Sequence, residues 1–564
     1  MELRRCRYLY LCLVVLLGAL QLRADVTGSI LGYVRDASGA VLPNATLTAT
    51  QTSTGYSRTA TTDASGQYSI LALPPGSYSL TASMAGFENG VVENINLNVN
   101  DALKFDFALK VGNVSQTVSV DASTVQVDTA TTSLGTTITS SQILSMPLNG
   151  RSYLDLLGLQ PGVAPANTNT NYNDRSPASG LYGSSGNVST DGQPEWANAF
   201  LVNGAEVNET KNMGAGMIPD ADSVAEFRLI TNSFSAEFGK FTGSVMNSVT
   251  KSGTNSFHGT LFEFYRNQKM DAINYFDSTK AELKRHQYGG VLGGPIWKDK
   301  LFSFTDYQQT RQVAGVSTGV VQVLSADERN GIFSDAILNT PVQGDAWAAT
   351  LQSRGGGVIN GAGGVCQPPA CTPTMYNQLG TATVTTDPTG AQVPAHNISA
   401  YIDPVTKLTL PVIPVANQGA FNYDDASNNG SIIDTNMAER IDFVNHTTGD
   451  WSFYYHYDDA TAIKPVYGDN GVQTLPGYPI TQPSRNQLFV ASNTKTIGST
   501  TVNVARIQFF RSAVHTAQPA SSSSISSYSK YGFNTDPTSG GLVNSGPPGY
   551  PSSLPTLFFN SFAV

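Results

Sequence analysis

Apolar and polar residues alternate with a period of two along much of the chain, in short runs broken by Gly, Pro, Asn and Asp. Between Thr27 and Leu109 the runs SILGYVRD, ATLTATQT, SGQYSIL and PGSYSLTAS are separated by turn residues, at the spacing of about 8 to 12 residues that marks an all-β sandwich. Val34, Leu42, Leu47, Tyr68, Ile70, Leu80 and Phe87 are its predicted core. Gly39 and Gly66 close Asp-x-x-Gly turns, where a positive φ costs Gly nothing. Pro74 and Pro75 ahead of Gly76 predict a stiff hairpin that presents Tyr78. Further on, Thr139, Ser140 and Ser141 predict a helix start, and a second helix follows with Leu154, Leu156, Leu157 and Leu159 as its apolar residues, closed by Pro161 and Gly162. From residue 259 the period of two returns in longer strands, of about ten residues: 259–267, 288–297, 300–309, 439–445, 451–459, 486–496 and 501–511. In WSFYYHYDD, Trp451, Phe453, Tyr455 and Tyr457 share one face, and Ser452, Tyr454, His456 and Asp458 share the other. Apolar-out and polar-in alternation of this kind suits a strand that crosses a membrane.

The compartment is read at the N-terminus. Arg4, Arg5 and Arg7 precede an apolar run, Tyr8 to Leu20, that is too short for the roughly 20 residues of a spanning helix and reads as a secretory signal peptide, residues 1–24. No later run is long enough to span as a helix, so a membrane-held mature chain would be held by strands. Cys366 and Cys371, in CQPPAC, suit a small local disulfide in an oxidising compartment. Only 13% of the residues are charged and the net charge is -10, which argues against an ordinary cytoplasmic enzyme and against a nucleic-acid surface.

The run GYVRDASGAVLPNATLTA with TTDASGQYSILALPPGSYSLTASMAGF resembles the carboxypeptidase regulatory-like (transthyretin-like) domain, over roughly 80 residues. The resemblance implies an accessory sandwich, residues 25–110, without catalysis of its own. Related sandwiches bind carbohydrate, and Tyr56, Tyr68 and Tyr78 are candidates to stack on sugar rings; core packing is the competing reading. In the linker 111–125, Gln116, Thr117, Val118, Ser119 and Val120 resemble a TonB box, which works by adding a strand to a partner's sheet edge. PLNGRSY, VNG, SAEFG and NSVTKSGTN then follow in the order of the plug domain of Oar-like TonB-dependent receptors, residues 126–257. YGGVLGGPIWKDKLFSFTDYQQTR is similar to the start of their barrels, residues 258–564, with a long polar loop at 313–437 placed outside the cell. Thr231, Asn232 and Ser233 replace the Arg-Gly-Pro turn of siderophore receptors, so iron uptake is not implied. Gly239, Gly243 and Gly253 suit backbone lying close inside an enclosing wall. Asp191, Glu195 and Trp196 are candidate substrate contacts on an exposed plug loop.

The expected architecture is all-β dominated: an N-terminal transthyretin-like β-sandwich, an α+β plug and part of a transmembrane antiparallel β-barrel. Seven strands are too few to close around a plug of about 130 residues, whose diameter is near 36 Å, so the chain resembles the N-terminal part of a longer receptor. No nucleophile elbow, Walker loop, dinucleotide fingerprint or HExxH is present; no catalytic, cofactor or metal residues are expected, and His456 is read as a satisfied lumen histidine. The implied function is transport or reception at the outer membrane of a Gram-negative-type cell, with the sandwich in the periplasm. Its partners would be an inner-membrane TonB complex, outer-membrane lipid and an unidentified substrate, such as a carbohydrate or peptide. The rival class is a secreted or surface carbohydrate-binding or adhesion protein without transport.

Overall fold

The computed structural model describes residues 27–112, 117–121, 133–165, 188–210, 213–234, 238–273, 280–316, 321–330, 410–417, 428–445, 447–465, 480–497 and 501–515, with a few isolated residues and short strand pieces elsewhere. The signal segment, Gln116, the SAE of SAEFG and the CQPPAC loop, apart from the backbone of Cys366, lie outside the described residues.

The N-terminal unit is a two-sheet sandwich. One sheet holds β1 (Gly28–Asp36), β4 (Gln67–Leu73), β7 (Ala102–Lys104) and β8 (Phe107–Leu109). The other runs in the order β3 (Ser57–Thr61), β2 (Thr46–Gln51), β5 (Gly76–Ser83), β6 (Asn89–Leu97) and β9 (Thr117–Asp121). Alternate residues of each strand face the space between the sheets, so Val34, Leu42, Leu47, Tyr68, Ile70 and Leu80 are buried there and Phe87 packs against them. Gly39 and Gly66 have φ of 90° and 73°. In the first of these turns the Asp36 carboxylate accepts from the backbone of Ser38 and Ala40. Two expectations are corrected. The Pro74-Pro75 connection is not a hairpin, because β4 pairs with β1 while β5 pairs with β2; the two prolines carry the chain from one sheet to the other. Nor do the tyrosines form a platform: Tyr56, Tyr68 and Tyr78 are 5%, 2% and 0% exposed, and the buried hydroxyls of Tyr68 and Tyr78 donate to the carbonyls of Phe105 and Pro74. An aromatic ring inside a sandwich cannot stack on a sugar.

The middle unit is built on a five-stranded sheet in the order β10 (Leu134–Thr139), β15 (Val224–Asn232), β16 (Val245–Thr250), β13 (Ala199–Val202) and β14 (Ala205–Glu206). A short hairpin pairs β11 (Val163–Pro165) with β12 (Val188–Thr190). Helix α1 (Ser140–Ser145) begins where its caps predict: Gln142 Oε1 accepts the Thr139 N–H at 2.9 Å. The expected second helix is instead a 3-10 segment, Tyr153–Leu159, with Leu154, Leu156 and Leu157 buried and Leu159 70% exposed. A segment of about two turns, with Gly158 inside it and Pro161 just beyond its end, is too short to repay α-helix nucleation.

The third unit is a seven-stranded antiparallel sheet: β17 (His258–Asn267), β18 (Leu283–Trp297), β19 (Leu301–Val316), β20 (Asn428–Phe443), β21 (Asp450–Lys464), β22 (Ile480–Ile497) and β23 (Thr501–Val514), paired in chain order. All seven expected strands are present and all are longer than expected, the first by a single residue, and the loop drawn at 313–437 loses both ends to β19 and β20. The alternation is inverted relative to a water-soluble sheet. Leu261, Ile433, Phe453, Tyr455, Phe489 and Ile507 are exposed on one face, while Asp306, Asn436, His456, Asp458 and Asn486 are buried on the other, against the middle unit. Among the described residues the sheet is open, with β17 and β23 at its edges, and no helix is long and apolar enough to cross a membrane.

Gly253 shows how tightly the middle unit is seated. A Cβ there would stand 2.4 Å from the Ser303 carbonyl oxygen and 2.6 Å from that of Gly294, and backbone cannot yield as a side chain can. We expect Gly253→Ala to destabilise the folded protein by about 1–3 kcal/mol, read as a lowered urea midpoint of the protein refolded in detergent micelles; an unchanged midpoint would refute the close approach.

Candidate functional site where the middle unit meets the wall and the sandwich

Each motif that singled out the middle unit marks a place where it is locked. In PLNGRSY, Gly150 and Arg151 both take positive φ, 79° and 62°. This sharp turn sends Arg151 into the wall, where its guanidinium lies 4.3 Å and 4.4 Å from the ring centres of Phe262 and Phe264. It also donates to Gln308 Oε1 at 3.2 Å and pairs with the buried Asp222. Two aromatic faces and a carboxylate together hold a desolvated cation far better than any one of them. Asn203-Gly204 of VNG has φ of 50° and 74°, the conformation of a two-residue hairpin turn, and joins β13 to β14. Its Asn203 Oδ1 accepts the Thr250 N–H at 3.0 Å, tying the hairpin to the far end of β16.

Residues 250–255, within NSVTKSGTN, join three units. Arg440 of the wall donates to the Thr250 carbonyl at 2.6 Å, and Ser252 donates to Asp442 at 2.6 Å. Asn255 donates to the Thr54 carbonyl of the sandwich at 2.9 Å and to Asp299 of a wall turn at 2.7 Å. The sandwich reaches the same rim from its other side, where Tyr56 and Arg58 donate to Asp450 at 3.1 Å and 3.2 Å. A third contact runs to the plug sheet: Glu226 accepts the Val99 N–H at 2.6 Å, and Arg228 donates to the Val99 carbonyl at 2.8 Å and to Asp101 at 2.9 Å. Burial pushes the Glu226 carboxyl up to about 7, with Asp101 adding to the rise and the Val99 hydrogen bond and Arg228 opposing it.

Between plug and wall, Gln308 donates to Asp220 at 2.8 Å. Burial, then the negative fields of Asp306 and Asp434, holds the Asp220 carboxyl well above the usual carboxylate range. Beside it lies a cavity of about 100 Å³ lined by Arg151, Asp220, Arg285, Gln308, Asp434 and Asn436 among others. Among the described residues, no three His, Cys, Asp or Glu side chains are grouped so as to hold a metal ion. His456 is buried on the lumen face with Nδ1 3.1 Å from the Tyr454 hydroxyl.

The candidate residues fall in three places. Thr117–Val120 lie in β9, which runs parallel to β6 at the edge of the sandwich sheet, with Val118 opposite Gly90 and Val120 opposite Val92. Asp191, Glu195 and Trp196 share one outward turn after β12, and Trp196 is 61% exposed. They are not brought near Asp220 by any contact among the described residues. Cys366 is placed by backbone alone, opposite Val358, and Cys371 is outside the described residues. Sequence reasoning missed Asn198, whose side chain donates to the Val188 and Glu195 carbonyls and accepts from the Ser244 N–H and hydroxyl. It also missed Glu226, Arg228 and Asp220.

A wall of antiparallel strands with apolar residues outward and polar residues inward, filled by a separately folded α+β unit, defines the class of a plugged outer-membrane barrel. Residues 249–562 match the family described as outer membrane beta barrel domain, and residues 29–110 match the carboxypeptidase regulatory-like domain. The chain belongs to the outer membrane beta barrel domain family and lies in the outer membrane of a Gram-negative-type cell. It is 27% identical over 354 residues to the TonB-dependent transporter Oar of Myxococcus xanthus, across 58% of this chain and 32% of that one. The chain thus spans about a third of the length of that relative. Similar solved structures include the siderophore receptor PirA of Acinetobacter baumannii (14% identity, TM-score 0.30, 67% of this chain and 48% of that chain). A mutant ferric enterobactin receptor, PfeA of Pseudomonas aeruginosa, is 12% identical with a TM-score of 0.34, over 68% of this chain and 45% of that chain.

The Glu226 contact yields a signed prediction. A carboxyl whose folded pKa is raised binds more protons in the folded state, so its contribution is full below the unfolded value of 4.5 and is lost as pH rises through about 7. Stability measured in urea should therefore fall between pH 5 and 8 in the parent protein, by up to about 3 kcal/mol, and Glu226→Gln should remove most of that slope. An unchanged slope would show that another group carries it.

Proposed function

We propose that the chain acts in TonB-dependent transport across the outer membrane, moving an unidentified substrate with energy from an inner-membrane TonB complex. The observation that carries the reading is a box-like segment in extended strand form, Thr117–Asp121, on the periplasmic sandwich and directly ahead of the plug in sequence. A partner that reads main-chain hydrogen bonds needs such a strand and little else. The likeness to Oar supports it, since that protein is a TonB-dependent transporter. In this reading the units divide at 25–110, 111–125, 126–257 and 258–564, and the long insertion after β19 lies outside the cell, stapled by Cys366 and Cys371. Asp191, Glu195 and Trp196 are then the polar and aromatic groups offered to a carbohydrate or peptide. The protein performs no covalent chemistry.

The test is Val118→Pro with Val120→Pro, which removes two backbone donors. We expect the variant to insert and fold, judged by heat-modifiable gel mobility, and to lose capture of the periplasmic domain of TonB by at least tenfold. Undiminished capture by a folded variant would reject residues 116–120 as the box.

A further inference from the structure

The box-like segment belongs to a sheet that continues the sandwich. β9 ends the order β3-β2-β5-β6-β9, and five of its residues, Thr117 to Asp121, are in register with Asn89 to Glu93 of β6. Only one of its two backbone edges is used by that pairing. Among the described residues no strand pairs with the other edge. Natural sheets protect such an edge with Lys, Pro, a bulge or a cover, and Thr117–Val120 contains neither Lys nor Pro. At the opposite end of the same sheet, β3 carries Arg58, whose guanidinium is taken up by Asp450 at the barrel rim. One edge of the sheet is therefore committed to the wall, and the other is left in the form that accepts a strand.

We propose that the energy-transducing partner adds its strand to the outer edge of β9 while β9 stays paired with β6, so that the sandwich becomes the body on which the partner pulls. The proposal rests on reading residues 116–120 as the box and adds how that box is met. Addition forms a new ladder and loses none, whereas capture of a released box must first break the five-residue pairing with β6, so at equal partner chemistry addition is favoured. The partner's chemistry follows: an exposed sheet edge with unpaired main-chain groups.

A load applied to β9 then reaches the plug through folded contacts. β9 is held by β6, β6 runs on through Leu97 to the turn at Asn98–Asp101, and that turn is gripped by Glu226 and Arg228 on β15, which lies inside the plug sheet between β10 and β16.

The experiment uses the full chain in detergent micelles, with Cys366→Ser and Cys371→Ser, carrying Val91→Cys and Ser119→Cys, which are opposite one another in the register. Dibromobimane, which bridges only neighbouring thiols and fluoresces when it does, locks β9 to β6. The probe is the isolated periplasmic domain of TonB from the same cells. The expected result is efficient bridging and an affinity within about twofold of the unbridged chain, lost by at least tenfold when Thr117→Pro and Asp121→Pro, whose backbone N–H groups lie on the edge away from β6, are added to the bridged chain. Failure to bridge in the folded protein would overturn the pairing. Bridging that weakens binding tenfold or more would overturn addition in favour of release. Retention of binding by the bridged chain with Thr117→Pro and Asp121→Pro would overturn β9 as the contact. Absence of binding by the unbridged parent chain would instead reject the reading beneath the proposal, a result distinct from the other three.

Discussion

A wall that faces lipid must turn its polar side chains inward, and something must meet them there, because a buried polar group without a partner costs more than most single contacts return. Here the wall presents Asp306, Gln308, Asp434, Asn436, Asp458 and Asn486 to the interior. The plug answers with Asp220, Asp222 and Arg151, which meet Gln308 and one another. The plug is therefore part of the wall's folding problem, and its motifs cluster where it touches the strands. Gly253 passes between two strand backbones, and Arg151 stands between Phe262 and Phe264. Residues 250–255 tie wall, plug and sandwich at one rim.

That constraint also explains how the sequence could be read. Period-two alternation is plainest in strands such as β21, which has one face outward and one against the plug, with Phe453 and Tyr455 on the outward face and His456 on the inward one, and all seven strands were visible. Their lengths were underestimated because the continuations begin or run on in polar residues, such as Thr310–Gln312 and Asn428–Ser431, and read as loop. The sandwich core was equally plain, since its apolar positions alternate within strands bounded by Asp-x-x-Gly turns. Local signals failed where the outcome depends on distance along the chain. Nothing near Glu226 indicates that it will grip the backbone of Val99, and nothing near Asn198 indicates that one amide will join Val188, Glu195 and Ser244. The tyrosines illustrate the same limit: an alternating Tyr is compatible with an outer platform or an inner core, and only the partner sheet decides.

The contacts differ in kind between the two faces of the plug sheet's surroundings. Toward the sandwich they are few and specific, with a carboxyl and a guanidinium on neighbouring inward positions of β15 holding both hydrogen-bonding groups of Val99. Toward the wall they are many, and partly opposed. Asp220 of the plug lies in the negative fields of Asp306 and Asp434 of the wall, and the nearby Arg151 is already paired with Asp222. Desolvated groups of one sign cannot all be satisfied by a single guanidinium and a few amides, so this face is close to break-even. A cavity beside Asp220 gives water room to replace those contacts as the surfaces part.

A lock between plug and wall made only of apolar surface would grow stronger with every square ångström and would resist being opened. A lock made of hydrogen bonds and opposed charges exchanges each broken contact for one with water. The apolar cluster of the plug is accordingly concentrated within the unit, around Tyr153, Leu157, Phe227 and Met246, and meets the wall through a small set that includes Ala438, Tyr454, Leu488 and Val490. The plug therefore holds itself together more firmly than it holds to the acidic part of the wall. The order of strengths follows from where the apolar residues lie: inside the plug and inside the sandwich, with polar chemistry at the junctions between units.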